Sequence, residues 1–318
     1  MLFSIIIPVY NRPDEVRELL DSLCAQTCKD FEVLVVEDGS SVTCYDVVQS
    51  YILRLYVDYL VKENGGPGQA RNYGAAHALG EFYVVLDSDC VLPPNYIAAL
   101  KEELEREPCD AFGGPDRAHT DFTSTQKAIN YAMTSFITTG GIRGGKRKLD
   151  KFYPRSFNMG LRATLWEKLG GFARMRFGED IDLSIRIFKS GARCRLFPEA
   201  WVWHKRRTDL RKFFKQVHNS GIARINLYKK YPESLKLVHM LPAAFTVSSL
   251  TVVPMVLLSI AVFCDALRQT RSLKVALLAM PASLCQLLGY GTGFIRAWWR
   301  RCVLGKDEFE AFKDNFYK

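Results

Sequence analysis

Along the first ninety residues, unbroken apolar runs alternate with stretches whose apolar residues recur every three or four positions. SIIIPVY (4–10), FEVLVVEDGS (31–40) and EFYVVLDSD (81–89) are of the first kind, and each ends in polar residues. DEVRELLDSLCAQT (14–27), with Pro13 before it, is of the second kind. The first pattern predicts strands buried on both faces, and the second predicts amphipathic helices. TCYDVVQSYILRL (43–55) is expected to be a helix and LYVDYLVKEN (55–64) a short strand, while GGPGQARNYGAAHALG (65–80) opens as a glycine-rich turn and continues as a helix. Alternation of this kind implies an α/β fold built on a doubly wound, mostly parallel sheet. Such sheets bind ligands beyond the carboxyl ends of their strands. Here those ends carry Tyr10-Asn11, Glu37 to Ser40 and Asp87 to Asp89.

From Cys109 to Arg155 the periodicity weakens into glycine-rich, basic loops around a helix near QKAINYAMTSFI (126–137). GGKRKLDK (144–151) reads equally as a solvated charge run or as a grip for phosphates or an acceptor. Order resumes in SFNMGLRATLWEKLGGF (156–172). FGEDIDLSIRIFKSGARCRLFP (177–198) then predicts an acidic helix start, an amphipathic helix and a return strand. The far end differs in kind. No Asp, Glu, Lys or Arg occurs between Lys236 and Asp265, nor between Lys274 and Arg296. Each run exceeds the roughly 20 residues that cross a hydrocarbon core. Basic residues and the pair Trp298-Trp299 flank them, as at a membrane interface. The expectation is a membrane-associated helical hairpin, with a re-entrant or interfacial pair and buried soluble helices as the other readings. The basic linker DALRQTRSLK (265–274) argues against a clean crossing. Residues 1–230 are expected to form one domain and 231–318 a second, so that a chain ending near Lys230 folds and stays soluble.

Composition narrows the partners. At 318 residues and 48% hydrophobic, the chain supports a sizeable core, and its +9 charge calls for an anionic partner. Nucleic acid is excluded by the lack of a basic and aromatic recognition motif, leaving phosphorylated small molecules and anionic lipid. Nine cysteines are scattered singly without a C-x-x-C, which fits reduced thiols in a cytosolic environment. Met1 leads straight into the first strand, without the features of a signal peptide. Asp87 and Asp89 stand two apart in LDSDC. If the strand continues through them, they share a face and repel unless a divalent cation lies between them. Two solvated aspartates in a turn are the plain alternative.

PVYNR, VEDGS, GGPGQARNYG, LDSDC, FNMGLRATLWEKLGGF and GEDIDLSIRI occur in this order over residues 3–206. Together they resemble the family-two nucleotide-sugar glycosyltransferases, inverting enzymes of the GT-A fold. The resemblance implies a UDP- or GDP-sugar donor, a Mn²⁺ or Mg²⁺ ion, and a glycan or lipid-linked acceptor. It places Pro8 and Tyr10 at the base and ribose pocket, Asp38 on the nucleobase, and Arg71 facing the nucleotide. Asp89 is then the main metal ligand, Asp87 binds ribose or metal-bound water, and His204 completes the metal site. Asp180 matches the base that takes the acceptor proton, and Glu179 the acceptor-binding acid beside it. Asp182 with Arg186 reads as a helix ion pair at i+4. Gly160 matches a loop where sugar and acceptor approach, and Asn158 either touches the sugar or shapes a turn. Gly65, Gly66 and Gly68 either let backbone approach the donor or only turn the chain. Lys205, Arg206 and Arg207 face either the diphosphate or lipid headgroups. The downstream Q-x-x-R-W pattern of processive members is absent; QVHNSGIAR (216–224) has no tryptophan after it, so transfer of one or a few sugars is expected. The whole reads as a metal-dependent transferase at the cytoplasmic face of the plasma membrane. Its rivals are a catalytically inactive, membrane-bound scaffold and a receiver-like phospho-binding module.

Overall fold

The structure, a computed structural model, describes residues 1–117, 119, 121–139 and 152–307. The stretch GGKRKLDK lies outside them. In chain order the elements begin β1 (Phe3–Val9), α1 (Pro13–Cys24), β2 (Phe31–Asp38), α2 (Tyr45–Gln49), β3 (Val57–Lys62), α3 (Pro67–Ala75) and β4 (Phe82–Leu86). There follow β5 (Cys90–Val91), α4 (Tyr96–Arg106), β6 (Ala111–Gly113), β7 (Asp116–Arg117), α5 (Ser124–Thr134) and α6 (Phe136–Thr139). Next come β8 (Asn158–Arg162), α7 (Ala163–Leu169), α8 (Glu179–Lys189), β9 (Cys194–Leu196) and β10 (Val202–His204). The chain continues through α9 (Leu210–Lys230), α10 (Leu237–Ser248), α11 (Val253–Thr270) and α12 (Leu273–Trp298).

It divides into two compact units, residues 1–117 with 152–205, and residues 118–151 with 206–309. In the first, the described strands form a seven-stranded sheet in the order β3-β2-β1-β4-β8-β6-β9. β3, β2, β1 and β4 are mutually parallel, and β8 runs antiparallel to both β4 and β6. Every residue of β1, β2 and β4 is buried, as continuous apolar strands covered on both faces must be. Alternation sends Ile5 and Ile7 into a core shared with Leu19, Leu20 and Tyr96, and Ile6 into a second core with Leu34, Trp166 and Leu183. The doubly wound, mostly parallel sheet read from the periodicity is therefore present. A small second sheet, β5-β10-β7, sits past the end of β4 and pairs His204 with Cys90.

Gly160 lies inside β8, paired with Val84 and Phe112, and not in a loop. A Cβ added there would stand 2.1 Å from the Phe112 ring. An aromatic ring fills the space a side chain would need, and the loop expected at Gly160 is a strand. Gly160→Ala is expected to cost about 1–3 kcal/mol, the usual range for overpacking, measured by denaturant unfolding. A variant as stable as wild type would show that the ring moves aside freely.

In the second unit the first uncharged run does not form one helix. It breaks at Ser249–Thr251, where Val252 takes φ 63°, and restarts as α11. Pro254 explains the break: it lacks an N–H, and its ring would clash with the carbonyl of residue 250 in a continuous helix. The second run forms α12 uninterrupted, with Pro281 inside it. By length and composition α11 and α12 are candidate membrane spans, though such helices also occur in soluble cores.

α9 belongs with these helices, in the compact unit that begins again at Arg206. Its Phe213 and Val217 share a core with Val275, Ala276 and Ala279 of α12. A Cβ on Gly221 would lie 2.1 Å from the Tyr290 carbonyl, so the two backbones touch. A chain ending at Lys230 would strip that cover from α9. It is expected to aggregate, contrary to the soluble fragment anticipated from the sequence. Monodisperse elution of this fragment at its monomer volume would show α9 to be self-sufficient.

Candidate active site

The carboxyl ends of β1 and β2 are tied by one network. Asn11, at φ 55°, accepts from the main-chain N–H groups of Ser41 and Val42, both at 2.8 Å, and donates its own N–H to Ser40 Oγ at 2.8 Å. Ser40 Oγ in turn donates to Glu37. Glu37 also accepts from the Cys44 N–H at 2.8 Å and the Tyr59 hydroxyl at 3.0 Å. These bonds give PVYN and EDGS a structural reason to occur together. Pro8 is buried opposite Val36 on β2, and Tyr10 is half-buried just past the strand end.

Asp38 is buried, and both its oxygens are engaged by the turn before α3. Oδ1 accepts from Lys62 Nζ at 2.7 Å and Gly65 N at 2.9 Å. Oδ2 accepts from Gly66 N at 2.8 Å and Asn64 Nδ2 at 3.2 Å. The glycine turn is thus pinned to β2 by this carboxylate, and Gly66 takes φ 88° to enter α3. In this arrangement Asp38 holds the loop; a nucleobase would have to share it.

Arg71 and Asn72, on the next turn of the chain, join this edge to α8. Asn72 brackets Phe172, donating to its carbonyl and accepting from its N–H, both at 2.8 Å. Arg71 is 3% exposed, and its guanidinium lies over the Phe172 ring. One arm bonds Asp87 at 2.6 Å and the other stands 3.5 Å from Glu179. Burial among carboxylates makes Arg71 an internal counter-ion.

Asp87 and Asp89 do not share a strand face. β4 ends at Leu86, and the Cys90 N–H donates to the Asp87 carbonyl at 3.0 Å, so 87–90 is a turn. Alternation lapses there. Asp87 goes to Arg71, while Asp89 goes to His204, whose Nε2 is 3.1 Å from Asp89 Oδ1. Among the described residues, Asp89, Cys90 and His204 form a group whose ligand atoms lie within 4.8 Å of one another. Asp87 is outside it. Burial raises the Cys90 thiol well above its ordinary range, and its Sγ donates to the Phe157 carbonyl at 3.5 Å. Mn²⁺ and Mg²⁺ favour oxygen and nitrogen donors over sulfur, and Asp89 and His204 supply a carboxylate oxygen and an imidazole nitrogen. That donor pair suits Mn²⁺ and tolerates Mg²⁺. The His204 ring stacks on Phe157, and Asp116 stands 3.9 Å from Nδ1. Arg12, not assigned from the sequence, comes within 3.6 Å of Asp89.

Glu179 and Asp180 open α8 directly after Gly178 at φ 87°, where the helix N-terminus favours negative charge. Asp180 Oδ2 pairs with Arg155 Nε at 2.7 Å, and Oδ1 accepts from the Ile181 N–H. Arg155 carries no motif signal, because it sits at the end of a generally basic stretch. Asp182 is wholly buried and gripped by Arg186, which also binds the carbonyls of Leu169 and Gly171, so the helix pair expected there is present.

Glu179 is pushed up to about 7, first by burial and then by the Asp180 charge, against the pull of Arg71. The folded chain therefore keeps a proton that the unfolded chain releases from about pH 4.5 upward. Stability from this group is present at low pH and lost as pH rises through that window. At about 1.4 kcal/mol per unit, the loss is on the order of a few kcal/mol. Glu179→Gln is expected to flatten the fall in unfolding free energy between pH 5 and 8. An unchanged slope in denaturant titrations would assign the fall to another group.

Asn158 is fully buried, with Oδ1 accepting from the Tyr96 hydroxyl at 2.7 Å and Nδ2 donating to the Ala200 carbonyl at 2.8 Å. These two bonds tie β8 to the approach of β10. Lys205 pairs with Glu18 at 2.6 Å, and Arg206 binds Asn130 Oδ1 at 2.9 and 3.1 Å. Both are thus committed within the protein.

Residues 4–170 match the family model described as glycosyl transferase family 2. An uncharacterized glycosyltransferase of Rickettsia typhi is 45% identical over 96 residues, which is 30% of this chain and 30% of that protein. The chain thus spans less than a third of the length of that relative. Among solved structures, the mannosyltransferase PcManGT from Pyrobaculum calidifontis, in complex with GDP-Man and Mn²⁺, aligns with a TM-score of 0.60 at 18% identity. That alignment covers 96% of this chain and 88% of the other. Staphylococcus aureus TarS 1–349, in complex with UDP-GlcNAc, aligns at 0.52 and 18% identity over 97% of this chain and 93% of that one. The fold is of the GT-A type.

Proposed function

Because the chain belongs to glycosyl transferase family 2, we propose that it moves a sugar from a nucleoside-diphosphate donor to an acceptor hydroxyl, with inversion. The observation that carries the reading is the assembly of Asp89–His204 and Glu179–Asp180 beyond the carboxyl end of β4, joined through Arg71, Asp87 and Phe172. Asp89 and His204 would hold a divalent cation, and such an ion stabilises the charge that builds on a leaving diphosphate. Asp180 takes the proton of the attacking hydroxyl, and Arg155 fixes the orientation of its carboxylate. Glu179, with its raised proton affinity, binds the acceptor as a donor or acceptor according to pH. Pro8 and Tyr10 border the base and ribose. The complexes of the structural neighbours, one with GDP-Man and Mn²⁺ and one with UDP-GlcNAc, support a nucleotide-sugar donor. α11 and α12 support attachment to a membrane, at its cytoplasmic face, with a lipid-linked or glycan acceptor. The test is release of nucleoside diphosphate from a panel of UDP- and GDP-sugars with Mn²⁺, with Mg²⁺ and with chelator. Donor binding without release would favour the inactive scaffold, and no binding of any donor would overturn the reading.

A further inference from the structure

The exposed apolar residues of the second unit are not scattered. On α11, Val253, Val256, Leu257, Ile260 and Leu267 are exposed and share one face of the helix, while Val262 and Ala266 on the opposite side are packed in the bundle. α10 repeats the arrangement with Leu237, Met240, Leu241 and Val247, and Leu250 in the break between them is 86% exposed. A single apolar stripe on a helix whose other side is packed is the pattern of a helix lying on a surface.

α12 is held elsewhere. It runs beside α9 in the same direction, with Gly289 against Val217, Gly293 against the His218 carbonyl, and Arg301 bonded to Asn226. Its first half packs with Ala128 and Ile129 of α5. α9 carries Arg211, Lys212, Lys215, Arg224, Lys229 and Lys230, and no acid. A helix in backbone contact with one that bears six cations cannot be drawn into hydrocarbon without it. Crossing would also drag the exposed Arg268, Arg271 and Lys274 of the α11–α12 turn through it.

The charge says what covers the stripe. Residues 236–307 hold eight Lys and Arg against two Asp, and one of these, Asp265, is engaged by Tyr131 at 2.6 Å and Gln269 at 2.7 Å. A second copy would set like charge against like, whereas an anionic bilayer offers the opposite sign. Trp298 and Trp299 are exposed beside Arg300 and Arg301, as at a headgroup boundary. We propose that the unit docks on anionic lipid with α10 and α11 lying in the plane of the interface, and that neither α11 nor α12 crosses the bilayer. The proposal rests on the membrane attachment inferred above and adds its geometry.

Two measurements on the full chain separate the two. Flotation with vesicles of phosphatidylcholine and phosphatidylglycerol should recover the protein, and Ile260→Asp should lower the bound fraction by about tenfold or more. Ile260 is exposed, so the variant should fold. Gln269→Cys, in a chain with Cys264 and Cys302 changed to serine, should react with an impermeant maleimide added outside the vesicles as fully before detergent as after. Flotation with labelling only after detergent would overturn the in-plane arrangement and leave membrane attachment standing. Flotation that Ile260→Asp does not weaken would likewise overturn the docking face. No flotation, with or without a dimer that Ile260→Asp dissociates, would overturn both.

Discussion

Asp180→Asn should bind donor nucleotide about as well as wild type, yet transfer sugar about 10² to 10⁴ times more slowly, the usual worth of a general base. The amide preserves the shape of the side chain. Its single oxygen can keep one of the two bonds the carboxylate makes, to Arg155 Nε at 2.7 Å through Oδ2 or to the Ile181 N–H through Oδ1. The new side chain cannot take a proton. Donor binding should survive because Asp89, His204 and the β1 and β2 ends are untouched by the change. The measurement is single-turnover transfer beside calorimetric titration of the nucleotide. Turnover within a few-fold of wild type would move the base elsewhere. Glu179 would then be the next choice, since its raised proton affinity already places it near neutrality.

Asp89→Ala should abolish the gain in donor affinity that Mn²⁺ confers. One imidazole is a poor hold for a divalent ion, and the lost ligand is half of the protein donor pair. Loss of even an outer partner of a metal site costs about 10- to 100-fold in metal affinity, so loss of this carboxylate should cost at least that. The backbone should stay in place, because the bond from Lys205 N to residue 89 uses the main-chain oxygen at 3.1 Å. His204→Ala should act in the same direction. Titration of UDP and GDP with Mn²⁺ and with chelator decides it: a mutant that keeps the wild-type metal dependence would sink the assignment.

Much of this molecule is local in origin, and that part was legible from residue order alone. The β1, β2 and β4 strands follow from apolar runs, and α1 and α8 from their helical spacing. The polar strand ends and the acidic start of α8 follow from the same periodicities, as does the Asp182–Arg186 pair one turn apart. Periodicity specifies which element a residue joins and which face it takes. It does not specify what stands opposite, and there the tertiary structure decided. Asp87 and Asp89 part company because a hydrogen-bonded turn replaces the extended strand assumed for them. His204 meets Asp89 only because β10 pairs with β5, more than a hundred residues away in sequence. Arg71 turns inward because two carboxylates from other elements surround it, while Asn158 and Gly160 are spent on a tyrosine, a carbonyl and a phenylalanine ring. Arg155 reaches Asp180 and Arg12 reaches Asp89 only through folding. α9 joins the apolar helices because glycines on both sides let backbones touch, and a glycine in sequence does not say what will approach it. Contacts between distant segments depend on the summed burial of whole faces, and no short window of sequence contains that sum.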